Sequence, residues 1–234
     1  MNPESIRPLS FGVLLFHPQL LHSDKKLREL FNRLGTVHEF TQYKQPTEGT
    51  AEFQRTSRTT NERLSCVFQN DRVEVVHDFP STDLQGFWRT VQDILRESVG
   101  ALGIAAFVLQ QYLVRKVANP LAEADARVFL SQRVCSIEEK KMQAFGRPLH
   151  GFGLRFFFPA SQEAPFEFDV KVESLLRDPS QLFLENTAKF YAPQQTADMM
   201  PVKRSLEATE QFLTDTLVKF LCQYNPTAKE GGLK

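Results

Sequence analysis

Cysteine is scarce in this chain. Cys66, Cys135 and Cys222 stand far apart, and no Cys-x-x-Cys pairing occurs. So odd and sparse a set excludes a disulfide framework and suits a reducing, cytoplasmic compartment. Tryptophan is nearly absent too, with one residue against 21 phenylalanines. No charge sign dominates: 28 Lys and Arg balance 28 Asp and Glu. A neutral chain has no global field drawing it to nucleic acid or to an anionic membrane. No apolar run nears the ~20 residues of a membrane-spanning helix. The first ten residues, with Pro3 and Glu4, lack the basic start and apolar stretch of a signal peptide. Gly-rich phosphate loops, His-Glu-x-x-His and Gly-x-Ser-x-Gly are missing as well. The expectation is a soluble intracellular protein.

What the chain has is phenylalanine, a large apolar side chain with no polar handle, which argues for core filling. At 234 residues it can form one large domain or two packed halves. Phe11–Phe16, ended by His17-Pro18, reads as a buried strand. Ser23 caps a helix carrying Leu27, Leu30, Phe31 and Leu34, and Gly35 is read as its end. Strands are predicted over 37–44, 51–57, 63–69 and 72–79. A second helix, 83–99, bears the stripe Leu84, Phe87, Trp88, Val91, Ile94 and Leu95. Residues 104–117 fit a buried strand or a buried helix. A strand over 126–134 and a short helix capped by Ser136 follow. Then come three strand-like segments between Leu149 and Ala192, a polar loop (194–201), and a long helix over 205–224.

The strand 166–173 alternates strictly: Phe166, Phe168, Val170 and Val172 on one face, Glu167, Asp169, Lys171 and Glu173 on the other. This is the pattern of an antiparallel sheet with one apolar and one wet side. The two halves of the chain repeat one order: strand, short capped helix, meandering strands, long amphipathic helix. The fold class is therefore α+β: a curved antiparallel sheet built from two similar β-α-β-β-β-β-α-like halves, with long helices packed on one face. The halves are 1–102 and 103–225, followed by a loose tail, 226–234. A helix-grip arrangement, one long helix held by a bent sheet around a Phe-lined cavity, is the alternative. The order of the first half is similar to the repeat unit of the TATA-binding-protein-like fold. A DNA-reading role on that fold needs a basic concave face, which a neutral chain does not offer.

The charged strand supplies the leading site residues: Glu167, Asp169 and Lys171, flanked by Arg155 and Glu185 on neighbouring strands. Its Glu-x-Asp-x-Lys-x-Glu pattern resembles the charged strand of the triphosphate-tunnel enzymes, in which acids hold a divalent metal and bases hold phosphates. The same alternation also makes cross-strand ion pairs on an ordinary solvated face. Gly151 and Gly153 flank Phe152 and leave a smooth strip that a ligand, a partner chain or a bulky neighbour could cover. The five histidines do not sit at metal-ligand spacing, although His38 and His77 could approach if their strands pair. The sequence assigns no catalytic residue, no metal ligand and no cofactor. The leading functional expectation is a non-catalytic binding or assembly module whose partner is a second copy (a homodimer) or another protein. The alternatives are a small-molecule carrier or cyclase with a Phe-lined cavity, and a metal- and triphosphate-dependent enzyme on strand 167–173.

Overall fold

In β1 (Arg7–Phe16), Phe11, Val13 and Leu15 alternate with Ser10, Gly12 and Leu14, so one face of the strand is built to be covered. The computed structural model describes residues 6–120 and 123–224. Around β1 it assembles a nine-stranded antiparallel sheet in the order β2-β3-β4-β5-β1-β7-β10-β9-β8. The strands are β2 (Gln42–Lys44), β3 (Ala51–Thr56), β4 (Arg63–Gln69), β5 (Arg72–Asp78), β7 (Leu109–Ala118), β8 (Gly153–Phe158), β9 (Phe166–Ser174) and β10 (Leu182–Phe190). A separate ribbon pairs β6 (Ala106–Phe107) with β11 (Gln194–Gln195). The chain is thus a mixed α+β protein.

Paired residues share a face, and following the register across the sheet separates its two sides. On one side lie Phe53, Cys66, Val75, Phe11, Tyr112, Ala188, Phe168 and Phe156. The long helices cover that side. Helix α1 (Asp24–His38) brings Phe31 to the ring of Phe53, and α2 (Leu84–Leu102) stacks Phe87 on Phe11 at 5.4 Å. The last helix is α5 (Met200–Gln211), a wider π turn over Phe212–Leu217, and α6 (Val218–Cys222). It sets Phe212 against Phe168 at 4.6 Å. Phe11, Phe53, Phe68, Phe87, Phe107 and Phe129 are wholly buried, each contributing roughly 2–3 kcal/mol.

Several local expectations need correction. Helix α1 runs through Gly35 to His38 and ends at Glu39, whose φ of 57° is left-handed. Only 42–44 of the expected strand 37–44 therefore pairs. Residues 126–134 are helical, not a strand. Ala126, Phe129 and Leu130, at spacings of three and four, are all buried, and Asp125 caps α3 (Ala126–Val128) before a π turn (Phe129–Val134). Ser136 does not cap the next helix. It holds a φ of 54°, and α4 (Glu139–Met142) starts after Glu138, continued by a 3-10 turn to Phe145. The first of the three late segments pairs only from Gly153, so Gly151 lies ahead of the strand. The final helix begins at Met200, inside the expected loop. The span 104–117 resolves as two strands, β6 (Ala106–Phe107) and β7 (Leu109–Ala118), and not as a helix. The expected tail, 226–234, lies outside the described residues.

The start of α2 depends on a glycine. Asp83 accepts from the Gly86 N–H at 2.8 Å, and Thr82 folds over the same turn. A Cβ at Gly86 would lie 1.7 Å from Thr82 Oγ1. Gly86→Ala should cost about 1–3 kcal/mol, read from urea unfolding followed by the fluorescence of buried Trp88. An unchanged midpoint would mean that Thr82 is free to swing away.

Candidate functional site

The face turned away from the helices gathers five of the seven sequence-predicted site residues. Arg155, Glu167, Asp169, Lys171 and Glu185 project from β8, β9 and β10, joined there by Arg115 and Lys189. Arg155 grips Asp169 through two bonds, Nε to Oδ1 at 2.7 Å and Nη2 to Oδ2 at 2.6 Å. Glu185, 4% exposed, accepts from Lys171 Nζ at 2.6 Å and Arg115 Nε at 2.7 Å. Lys189 meets Glu167 at 2.8 Å. The result is a ladder of ion pairs across four strands. The hydrogen bonds from Arg155 and Lys189 hold the carboxyls of Asp169 and Glu167, respectively, below their usual range. Burial alone would raise Glu185, but Lys171 and Arg115 outweigh it and keep that carboxyl low as well.

This ladder absorbs its own charge. Each acid of strand 167–171, and Glu185 beside it, already has a cationic partner. Among the described residues no group of three or more His, Cys, Asp or Glu is arranged to hold a metal ion. The sheet runs from β2 to β8 without closing on itself, so these side chains do not line a tunnel. Gly151 and Gly153 are each approached by the chain's own side chains, with Gly153 itself still exposed. A Cβ at Gly153 would lie 2.7 Å from Glu173 Cγ, and one at Gly151 would lie 2.9 Å from Leu176 Cδ2. The smooth strip is a fit between adjacent segments.

Sequence reasoning missed a second feature beside the ladder. β8 closes the sheet on one side, with no strand beyond it among the described residues. The Phe152 carbonyl accepts from Ser174 of the β9 side. By antiparallel alternation Leu154, Phe156 and Phe158 bond to β9, and the N–H and C=O of Gly153, Arg155 and Phe157 point outward. Phe157 and Phe158 are 55% and 44% exposed. Behind the edge, on the helix side, Phe156, Phe158, Val170, Phe212, Thr216, Leu217 and Phe220 line a groove of about 220 Å³. Phe212 and Phe220 pack against the core and also form the rim of this partly filled slot. Tyr112, Arg127 and Arg133 do not line this groove. Tyr112 donates to Gln110, Arg127 binds Asp125, and Arg133 binds Glu123.

His77 and His38 are linked by a cluster that the sequence only hinted at. His77 Nε2 donates to Glu62 Oε1 at 2.8 Å, and Arg55 donates to Glu62 at 2.9 Å and to the His38 carbonyl at 3.4 Å. His77 Nδ1 and His38 Nε2 are buried without partners. No family model matches this sequence, and no curated protein matches it.

Two outcomes follow from these charges. Burial lowers His22, His38 and His77. The unfolded chain therefore binds more protons than the folded one below the ordinary imidazole value of about 6.5, and stability falls as pH drops through that window. A proton on His77 Nδ1 would create a buried donor with no acceptor. Urea midpoints should decline from pH 7 to pH 5.5, less steeply in His77→Gln; identical slopes would exclude His77 as a contributor. Second, Glu185→Ala leaves Arg115 and Lys171 facing each other. It should cost about 1–2 kcal/mol, moderated because both cations are more than a third exposed. Thermal unfolding at low and high salt measures this, and a neutral result would mean that the two cations reach solvent without penalty.

Proposed function

We propose that this chain is a non-catalytic binding module that takes an extended strand of a partner chain along β8. The observation that carries this reading is the unblunted edge. Proteins usually protect sheet edges with short strands, prolines or charge. The opposite edge, β2, is three residues long and carries Lys44. β8 instead presents Gly-Leu-Arg-Phe-Phe-Phe, its one charged side chain tied down by Asp169.

The strand order supports a deeper reading of the same edge. From the centre outward it runs β1-β5-β4-β3 on one side and β7-β10-β9-β8 on the other. Each half is a strand, a helical segment, a meander of consecutive strands (four in the first half, β8 to β10 in the second) and a long helix. This supports two similar halves, 1–102 and 103–225, arisen by duplication and packed into one domain. It favours that architecture over a helix-grip, in which a single long helix would be held. In this correspondence β8 stands where β3 stands, and β3 has a further strand on its outer edge. β2 lays Tyr43 beside Phe53, with ring centroids 5.7 Å apart. The groove beside Phe156 is the counterpart that lacks such a ring. No helix among the described residues is long and apolar enough to cross a membrane, and the sparse thiols suit an intracellular setting.

Strand addition draws its affinity from main-chain hydrogen bonds and its selectivity from alternate side chains. A fluorescent peptide alternating phenylalanine with threonine, with terminal lysines for solubility, should bind saturably. A proline placed mid-peptide should weaken it about tenfold or more (~1.4 kcal/mol). Equal binding by the two peptides, or none by either to the dilute, monomeric chain, would rule out strand addition at this edge.

A further inference from the structure

We infer that the strand completing β8 is β8 of a second copy of this chain, so that two sheets join edge to edge about a two-fold axis. This rests on the strand-binding reading above and names its occupant. The edge is self-complementary in the way an isologous contact requires. A two-fold axis perpendicular to the sheet keeps the helix-covered faces of both copies on one side, so residues brought opposite must share a face. Only a few registers satisfy this. Placing Arg155 on the axis sets two like charges directly opposite. Placing Phe157 there leaves little overlap before Pro159 ends the strand.

With Phe156 on the axis, the outward N–H and C=O of Arg155 meet those of Phe157 in the second copy, and the reverse, so the free backbone groups of Arg155 and Phe157 are used in both copies. Phe156 then faces Phe156 of the second copy, and Leu154 faces Phe158. The ring that Tyr43 supplies beside Phe53 in the first half is thereby supplied to each groove by the other chain's phenylalanines. On the opposite face Arg155 lies against Phe157 of the second copy, a contact suited to a cation and a ring. The exposed area of Phe157 and Phe158 is covered. Arg155 keeps its bond to Asp169, so no charge is stranded. The formal net charge of zero removes the long-range repulsion that would oppose pairing.

Sedimentation equilibrium of the full chain, over about 1–100 μM, should give twice the 26.8 kDa of one chain at the upper end. Phe157→Pro removes an N–H that points away from β9 and so should leave the fold intact by circular dichroism. It should be monomeric throughout. Phe157→Lys, which sets a second cation against Arg155, should weaken the dimer tenfold or more. In the wild type the amides of Arg155 and Phe157 should exchange slowly at high concentration and rapidly on dilution. A wild type that stays monomeric at the upper concentration, or two folded variants that dimerise like it, would overturn the proposal. Slow Arg155 and Phe157 amides in a monomer would overturn it in favour of an occupant within the same chain. A monomer that still captures the alternating peptide loses only the second copy as occupant. A monomer that captures nothing loses the strand-binding reading as well.

Discussion

Everything in this fold hangs on the pairing of β1 with β7. Among the described residues these two strands are the only lateral bond between the part of the sheet built before α2 and the part built after it. Their register is tight. Gly12 faces Leu113, and a Cβ there would lie 3.2 Å from Leu113 Cβ, with Val76 on the other flank. The missing side chain lets the two strands close while their other faces feed the core through Phe11, Val13 and Tyr112. Because the seam is antiparallel and central, it sets the order of all that follows. The first meander grows outward on one side and the second on the other, and the long helices come to lie on a single face.

The two sides are held by different chemistry. Helices α1 and α2 sit mainly on rings and aliphatic chains, as in the Phe11–Phe87 stack, with Arg55 reaching the His38 carbonyl at the end of α1. The final helix lies on a seam with much more polarity. Asn186 donates to the Thr209 carbonyl, Lys116 pairs with Glu210, and Tyr112 bonds to Gln110, which in turn donates to the Ala192 carbonyl. Burial pushes the Tyr112 hydroxyl far up, so it stays a neutral donor. The oxygen of Asn186 is left without a partner in a wholly buried place, at a cost of roughly 1–3 kcal/mol. One turn later the helix widens into its π segment at Phe212. A polar seam fixes the helix in one position along the strands, where a purely oily contact would let it slide.

How much of this the sequence disclosed depended on distance. Strict alternation in 166–173 and the three-and-four spacing of 84–95 identified a strand and a helix because each pattern is complete within a few residues. Ser23 was legible as a cap, and it does accept from Lys26. The stretch 126–134 was not, since Ala126, Val128 and Leu130 fit strand spacing while Ala126, Phe129 and Leu130 fit helical spacing. Lateral facts were invisible. Nothing in the residues around Glu185 says that Arg115, seventy positions earlier, would lie beside it, or that β8 would end the sheet. The acids and bases of the ladder could be named from one strand, yet their mutual neutralisation needed the register of four.

Cys66 lies within the first meander. It is wholly buried between β3 and β5, and burial pushes its thiol well above the ordinary value. A thiolate there can form only when the helices and that face of the sheet part. Reaction with a small alkylating reagent would then proceed at the rate or population of that parting, giving a clock for local breathing on the side of the molecule remote from β8.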